Sequence, residues 1–271
     1  MLSQRALDRR TRQGIALSEK DAPIETSYYT QIKNASGITI VGKSKWLNAI
    51  HVQGTQTAIN NLKTSHSFID NIEYADRSLN TKSRQTAIST PQEKKYKASS
   101  SDFSYGDATT QINMLKGDYI HEEGFTGAGM QIAVMDNGFP NVNSLDAYQR
   151  LRDNNQILGG YNYVDRNTDI YVKKFNGPNL VNTHGTKVLS TMAAYDEGNF
   201  IGTAPDASYY LFITEDYFNE VPLEETMWVE AAEKSDSLGV DVINTSLGYS
   251  IYFDEPRYNY SYADMDGKTA F

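Results

Sequence analysis

An α/β fold on a doubly wound, mostly parallel sheet is predicted for residues 102–271, preceded by a small α+β domain over residues 1–80. Three observations carry this reading. From Gly127 onward, short apolar runs alternate with helix-period stretches, the pattern of parallel strands joined by crossover helices. Before residue 80 the pattern is instead helix, strand, strand, helix, strand. Between the two, residues 81–101 are rich in Ser, Thr, Lys and Gln with almost no large apolar side chain, so they read as an exposed linker and processing region.

Ser3 is placed to cap a first helix running to Gln13, and Asp21-Ala22-Pro23 then breaks the helical pattern as a turn or extended connection. A second helical stretch starts near Ser27 and stops at Gly37. Ile38-Thr39-Ile40-Val41 and residues 46–52 are strand-like, with Trp46, Ile50 and Val52 on one face at period two. Thr55 can cap a helix carrying Ala58, Ile59 and Leu62, and residues 68–74 read as a last strand. This is the β-α-β-β-α-β ferredoxin-like plan lacking its first strand, which is expected upstream of Met1. In the larger part come the run Gln131-Ile132-Ala133-Val134-Met135, a loop-rich stretch through Gly159-Gly160, a helix after His184, and a strand over residues 207–213. A helix from about Leu223 to Leu238 and the run Val240-Asp241-Val242-Ile243-Asn244 complete the pattern. Ligands of such sheets sit at the carboxyl ends of the strands, and Asp136 and Ser246 both fall where an apolar strand ends.

The net charge of −9 hides a division. Residues 1–97 carry 15 Lys and Arg against 8 Asp and Glu, whereas residues 98–271 carry 10 against 26. A basic piece and an acidic piece on one chain attract one another before any specific contact forms. The basic residues are scattered through apolar-periodic sequence, unlike a nucleic-acid face, so no nucleic-acid partner is expected. With no Cys, disulfides, Cys-ligated zinc and thiol catalysis are excluded. No apolar run approaches membrane-helix length, and the basic residues near Met1 have no apolar stretch behind them, so neither a membrane segment nor a signal peptide is visible. Nineteen Tyr against two Trp point to a core with many amphipathic rings whose hydroxyls reach polar partners.

Three short segments carry the chemistry. Taken alone, Asp136-Asn137-Gly138 is a hairpin-turn signal, His184 before Gly185-Thr186 could help satisfy the amides of a helix start, and Asn244-Thr245-Ser246-Leu247-Gly248 could be a strand leaving into a glycine turn. Their joint occurrence, as acid, base and Ser-Leu-Gly in that order at element boundaries, gives them a common reading.

In these motifs the sequence resembles the subtilisin-like serine peptidases, the subtilases. The matching segments are Gly127-Ala128-Gly129-Met130-Gln131-Ile132-Ala133-Val134-Met135-Asp136-Asn137-Gly138, Asn182-Thr183-His184-Gly185-Thr186-Lys187-Val188, Gly202-Thr203-Ala204-Pro205-Asp206-Ala207, and Asn244-Thr245-Ser246-Leu247-Gly248. The N-terminal part resembles the inhibitory propeptide of secreted bacterial subtilases, through Leu2-Ser3-Gln4-Arg5-Ala6-Leu7-Asp8-Arg9-Arg10 and Lys43-Ser44-Lys45-Trp46-Leu47-Asn48-Ala49. The sequence departs from the family at Asn137, where Ser or Thr is usual, and at Lys187, Leu189 and Ser190, where small residues are usual.

The resemblance implies a serine endopeptidase precursor. Asp136 would accept the Nδ1 proton of His184, His184 would deprotonate a serine, and Ser246, Leu247 and Gly248 would bind an extended substrate. The serine and the oxyanion-hole Asn are expected beyond Phe271, making this an incomplete subtilisin-like domain and an inactive chain by itself. Implied partners are polypeptide substrates and the chain's own propeptide as an intramolecular inhibitor, and the implied location is secreted or cell-surface. No cofactor is required for catalysis; structural calcium is compatible with the family but no metal ligand can be assigned. Two other readings stay open: a non-catalytic propeptide-type inhibitor or chaperone, and a peptide-binding pseudo-peptidase.

Overall fold

The computed structural model describes residues 2–80 and 103–264, so the linker expected over 81–101 lies outside the described residues. In chain order, α1 (Gln4–Gln13), α2 (Thr26–Lys33), β1 (Ile38–Ser44), β2 (Ala49–Gly54) and α3 (Gln56–Ser65) come first. Then come α4 (Thr109–Met114), α5 (Gly117–Glu122), β3 (Gln131–Asp136), α6 (Gln149–Asp153), β4 (Ile157–Asn162), β5 (Phe175–Asn176), β6 (Asn179–Leu180) and α7 (His184–Ala193). The series ends with β7 (Tyr195–Asp196), β8 (Phe200–Ile201), β9 (Ser208–Ile213), α8 (Leu223–Leu238) and β10 (Val242–Thr245). These elements form two compact units, one from residues 2–80, 218–239 and 248–264, the other from 103–217 and 240–247.

The first unit is organised around α8. Its residues Thr226, Glu230, Glu233 and Ser237 recur at helical spacing and so form one stripe. Every one of them meets the β1–β2 region. His51 Nδ1 lies 2.8 Å from Thr226 Oγ1, the Lys43 amide donates to Glu230 at 3.3 Å, and Lys45 Nζ donates to Ser237 Oγ at 2.8 Å. Glu233 accepts from Ser44 Oγ at 2.6 Å and from the amides of Lys45 and Trp46 at 3.1 and 3.0 Å. A carboxylate receiving this many donors at the end of a two-stranded sheet fixes that turn more firmly than the ladder alone.

Helix α1 seats on the C-terminal end of α8. Ser3 caps α1 by accepting from the Ala6 amide at 3.1 Å and also donates through Oγ to Leu238 O at 2.8 Å, while its amide donates to Ser237 O at 2.7 Å. Arg5 Nε donates to Gly239 O at 3.1 Å. The last carbonyls of α8, which have no partner within the helix, are thereby satisfied from outside. Asp236 bridges Arg9 at 2.5 Å and Arg10 at 2.7 Å, and Arg10 also pairs with Asp21 at 2.8 Å. The cations thus lie at the negative pole of the α8 dipole.

Two details of the expected plan change. β1 and β2 form an antiparallel pair with Ile40 opposite Val52 and Ser44 opposite Ala49, but Trp46 lies in the connecting turn and shares no strand face with Ile50 and Val52. Its amide is taken by Glu233, which draws the chain out of the strand. Residues 68–74, expected as a strand, form none. Side chains satisfy their backbone instead: Lys63 Nζ donates to Asp70 O, and Asn80 both receives the Tyr74 amide and donates to Tyr74 O at 2.8 Å. Phe68 stacks on Tyr28 with centroids 4.2 Å apart rather than alternating across a sheet.

The second unit holds the parallel sheet, ordered β10-β3-β9-β4 with all three pairings parallel. The chain passes from β3 to β4 and β9 on one side and then returns to β10 on the other, so β3 lies at the topological switch point. On one face Ile132 and Val134 of β3 and Tyr209, Leu211 and Ile213 of β9 pack with Leu151 of α6 and Leu189 and Ala193 of α7. Leu189, unusual for the family by sequence, is fully buried in that core. Gln131 to Met135 therefore continues as a parallel strand, and Asn137-Gly138 does not turn it into a hairpin. Away from the sheet, Tyr105 and Phe103 enclose His121. Its Nε2 donates to Thr203 O at 2.9 Å, and its Nδ1 lies 2.8 Å from the Tyr105 hydroxyl. Among the described residues, no helix is long and apolar enough to cross a membrane.

Candidate active site

Asp136 ends β3, and His184 opens α7. The structure brings the two side chains together, His184 Nδ1 lying 2.8 Å from Asp136 Oδ1 and 3.0 Å from Oδ2. An ionised carboxylate only accepts, so Nδ1 carries the proton of this bond and Nε2 is the ring nitrogen left to meet another group. Asp136 is wholly buried, whereas the His184 side chain is 50% exposed. The ring therefore has one edge fixed from below and the other open for a reacting group.

Local packing explains why the pair meets. At Gly185 an added Cβ would come within 2.5 Å of Gly138 O, 2.9 Å of Asp136 Cβ and 3.1 Å of Asp136 Cγ, so only glycine lets the first turn of α7 lie against the acid. Gly138 has φ +144°, and an added Cβ there would meet Asn182 Nδ2 at 2.5 Å. Thr186 Oγ1 donates to Pro140 O at 2.8 Å, and the Tyr148 hydroxyl donates to Thr186 O at 2.5 Å. These bonds tie the start of α7 to the loop that leaves β3.

Asn182 is a positioning residue that sequence reasoning passes over. Fully buried, it accepts from the Lys174 amide at 2.9 Å and donates to Val172 O at 2.8 Å, holding the segment that delivers His184. Its one signal is its place inside the Asn182-Thr183-His184 motif. Ser246 and Leu247 come after β10, whose Thr245 is level with Met135 in the parallel register, so they leave the sheet beside Asp136 at the same carboxyl edge. Gly248 comes next in sequence and is exposed, with nothing within 4 Å of where a Cβ would sit. Among the described residues no group of three or more His, Asp or Glu could hold a metal ion.

Burial is the largest influence on the Asp136 carboxyl and pushes its pKa above the ordinary value of 3.8, while the His184 and Asn137 hydrogen bonds pull the other way. A raised folded-state pKa favours the folded chain below 3.8, and that contribution is lost as pH rises through the raised value. Asp136→Asn is neutral throughout this range and does not titrate. The variant's unfolding midpoint in urea, relative to the native chain, is expected to rise as pH increases from about 4 to 7. A difference that stays flat or falls over that range would contradict the burial argument.

The Asp136–His184 pair, buried at the acid and half-exposed at the ring, stands at the switch point of a parallel α/β sheet. The family model described as "Subtilase family" matches residues 127–268, and that described as "Peptidase S8 propeptide domain, Bacteroidota" matches residues 1–93. The chain belongs to the subtilase family and carries a propeptide domain ahead of its subtilase domain. Subtilisin E of Bacillus subtilis (strain 168) is 30% identical over 143 residues, covering 51% of this chain and 32% of its own length. Subtilisin of Bacillus pumilus is 28% identical over 143 residues, covering 51% and 44%. The crystal structure of the serine protease of Aeromonas sobria aligns with a TM-score of 0.39 at 27% identity, covering 50% of this chain and 21% of that one. The chain thus spans less than half the length of these relatives.

Proposed function

We propose that this chain is the N-terminal part of a secreted or cell-surface serine endopeptidase zymogen, in which Asp136 and His184 supply the acid and base of an Asp-His-Ser triad. The observation that supports this most is the Asp136–His184 hydrogen bond through Nδ1, with the opposite edge of the imidazole exposed at the carboxyl end of a parallel sheet. In the forward step His184 Nε2 takes the proton of a serine hydroxyl as its oxygen attacks the substrate carbonyl, and Asp136 stabilises the imidazolium so formed. The serine is expected outside these 271 residues, so the chain alone is expected not to hydrolyse peptides. Ser246, Leu247 and Gly248 offer backbone N–H and C=O groups to an extended polypeptide, with Gly248 leaving room for it. The reaction itself needs no cofactor, and structural calcium has no assigned ligands.

The N-terminal domain is proposed as the intramolecular inhibitor, removed by self-cleavage in the polar segment that comes after it. A segment with little apolar content costs little to extend through a protease cleft. N-terminal sequencing of the mature form of the complete gene product is expected to place its first residue between Thr81 and Tyr105. A mature start upstream of Phe68 would overturn the propeptide assignment.

A further inference from the structure

One contact in the first unit is built like a receptor. The guanidinium of Arg77 lies over the ring of Tyr260, 4.2 Å from its centroid, donates to Asn259 O, and stands 3.9 Å from Asp264 Oδ2. Ring face, carbonyl and carboxylate all come from the segment after β10, whereas Arg77 comes from the end of the N-terminal domain. The receptor side is held independently of its occupant. The Tyr260 hydroxyl donates to the buried Glu225 of α8 at 2.6 Å, and the Tyr260 amide donates to Ser250 O at 2.8 Å. Phe253 meets the Tyr260 ring edge-on at 5.8 Å, and the Phe253 amide donates to Asn259 Oδ1 at 3.1 Å. The phenol stays protonated, because burial first and then Glu225 raise its pKa well above the ordinary value. A hydroxyl donating to a carboxylate makes the ring a better partner for a cation lying on its face.

We propose that Tyr260, Asn259 and Asp264 form a guanidinium-binding site that Arg77 fills within the chain and that takes the arginine side chain of a separate peptide when Arg77 is withdrawn. The site selects arginine over lysine. A planar guanidinium can stack on the Tyr260 face while its edge reaches the Asn259 carbonyl and the Asp264 carboxylate, whereas an ammonium satisfies one of these at a time. That withdrawal happens naturally rests on the propeptide reading above; the binding chemistry does not. In a processed enzyme the site would favour arginine-bearing polypeptides among those that approach.

The test uses the full 271-residue chain with Arg77→Ala, folding being checked by near-ultraviolet circular dichroism. N-acetyl-arginine amide, N-acetyl-lysine amide and the neutral citrulline analogue are titrated while the Tyr260 ring signals are followed by NMR, assigned with Tyr260→Phe. Saturable shifts are expected with the arginine probe, at concentrations at least about fivefold lower than with lysine, and none with citrulline. The native chain, with Arg77 in place, should need at least about tenfold more arginine probe. Arg77→Lys keeps the charge and should give an intermediate response, which serves if the alanine variant does not fold. A folded variant without a saturable response, or one that answers citrulline and arginine alike, would overturn the proposal. Loss of the peptidase reading would appear only in activity assays and would leave this binding result unchanged.

Discussion

Glu233→Ala is expected to release the β1–β2 turn from α8 and to cost about 3 kcal/mol of stability. The carboxylate is buried and accepts three hydrogen bonds, from Ser44 Oγ, the Lys45 amide and the Trp46 amide. Alanine leaves those donors facing a gap, and Ser44 is itself buried, so water reaches them only if the turn moves away. Hydrogen exchange at the Lys45 and Trp46 amides should rise together with the loss in urea midpoint. Glu233→Gln keeps two oxygen-directed bonds at best and gives up the charge, so its loss should be about half as large. Unchanged exchange at both amides in the alanine variant would show that the β1–β2 ladder alone holds the turn.

That contact also shows where the sequence stops being readable. Helix α8 is legible in full, since Leu223 to Leu238 is rich in Leu, Ala, Glu, Met and Lys, holds no Gly or Pro, and is closed by Gly239. Its Thr226-Glu230-Glu233-Ser237 stripe is not legible as an interface, because a polar stripe on a helix normally faces solvent and only the approach of β1 changes its meaning. The strand expected over residues 68–74 fails for a related reason. Its β-branched and aromatic residues Phe68, Ile69, Ile72 and Tyr74 suit a strand, but Lys63 and Asn80 satisfy that backbone locally. The ends of the parallel strands are better determined: the apolar run of a strand buried on both faces stops at Asp136, which is the last residue of β3. Gly185 has a clear motif but no visible cause until the 2.9 Å approach to Asp136 Cβ shows it. Asn182 has no evident role in sequence, since a buried Asn in a loop acts through backbone partners that its motif does not contain.

The second large effect concerns the base. In the proposed mechanism His184 is the group that accepts the serine proton and later returns one to the leaving amine, and Asp136 cannot take over either task. The carboxylate lies at the Nδ1 edge of the ring, fully buried, and has no open side toward a substrate. Removing the imidazole therefore leaves a serine hydroxyl at its ordinary, unreactive pKa, and the rate should fall by about 10⁴-fold or more, with substrate binding little altered. The change should appear in kcat rather than KM, since the ring contributes to the transition state and not to holding the peptide.

Peptide hydrolysis by the complete gene product, compared with its His184→Ala variant on the same unstructured polypeptide substrate, measures this directly. Hydrolysis by the native product is expected, with a loss of about 10⁴-fold or more in kcat for the variant. A folded His184→Ala enzyme that retains more than about a tenth of the native rate would contradict it.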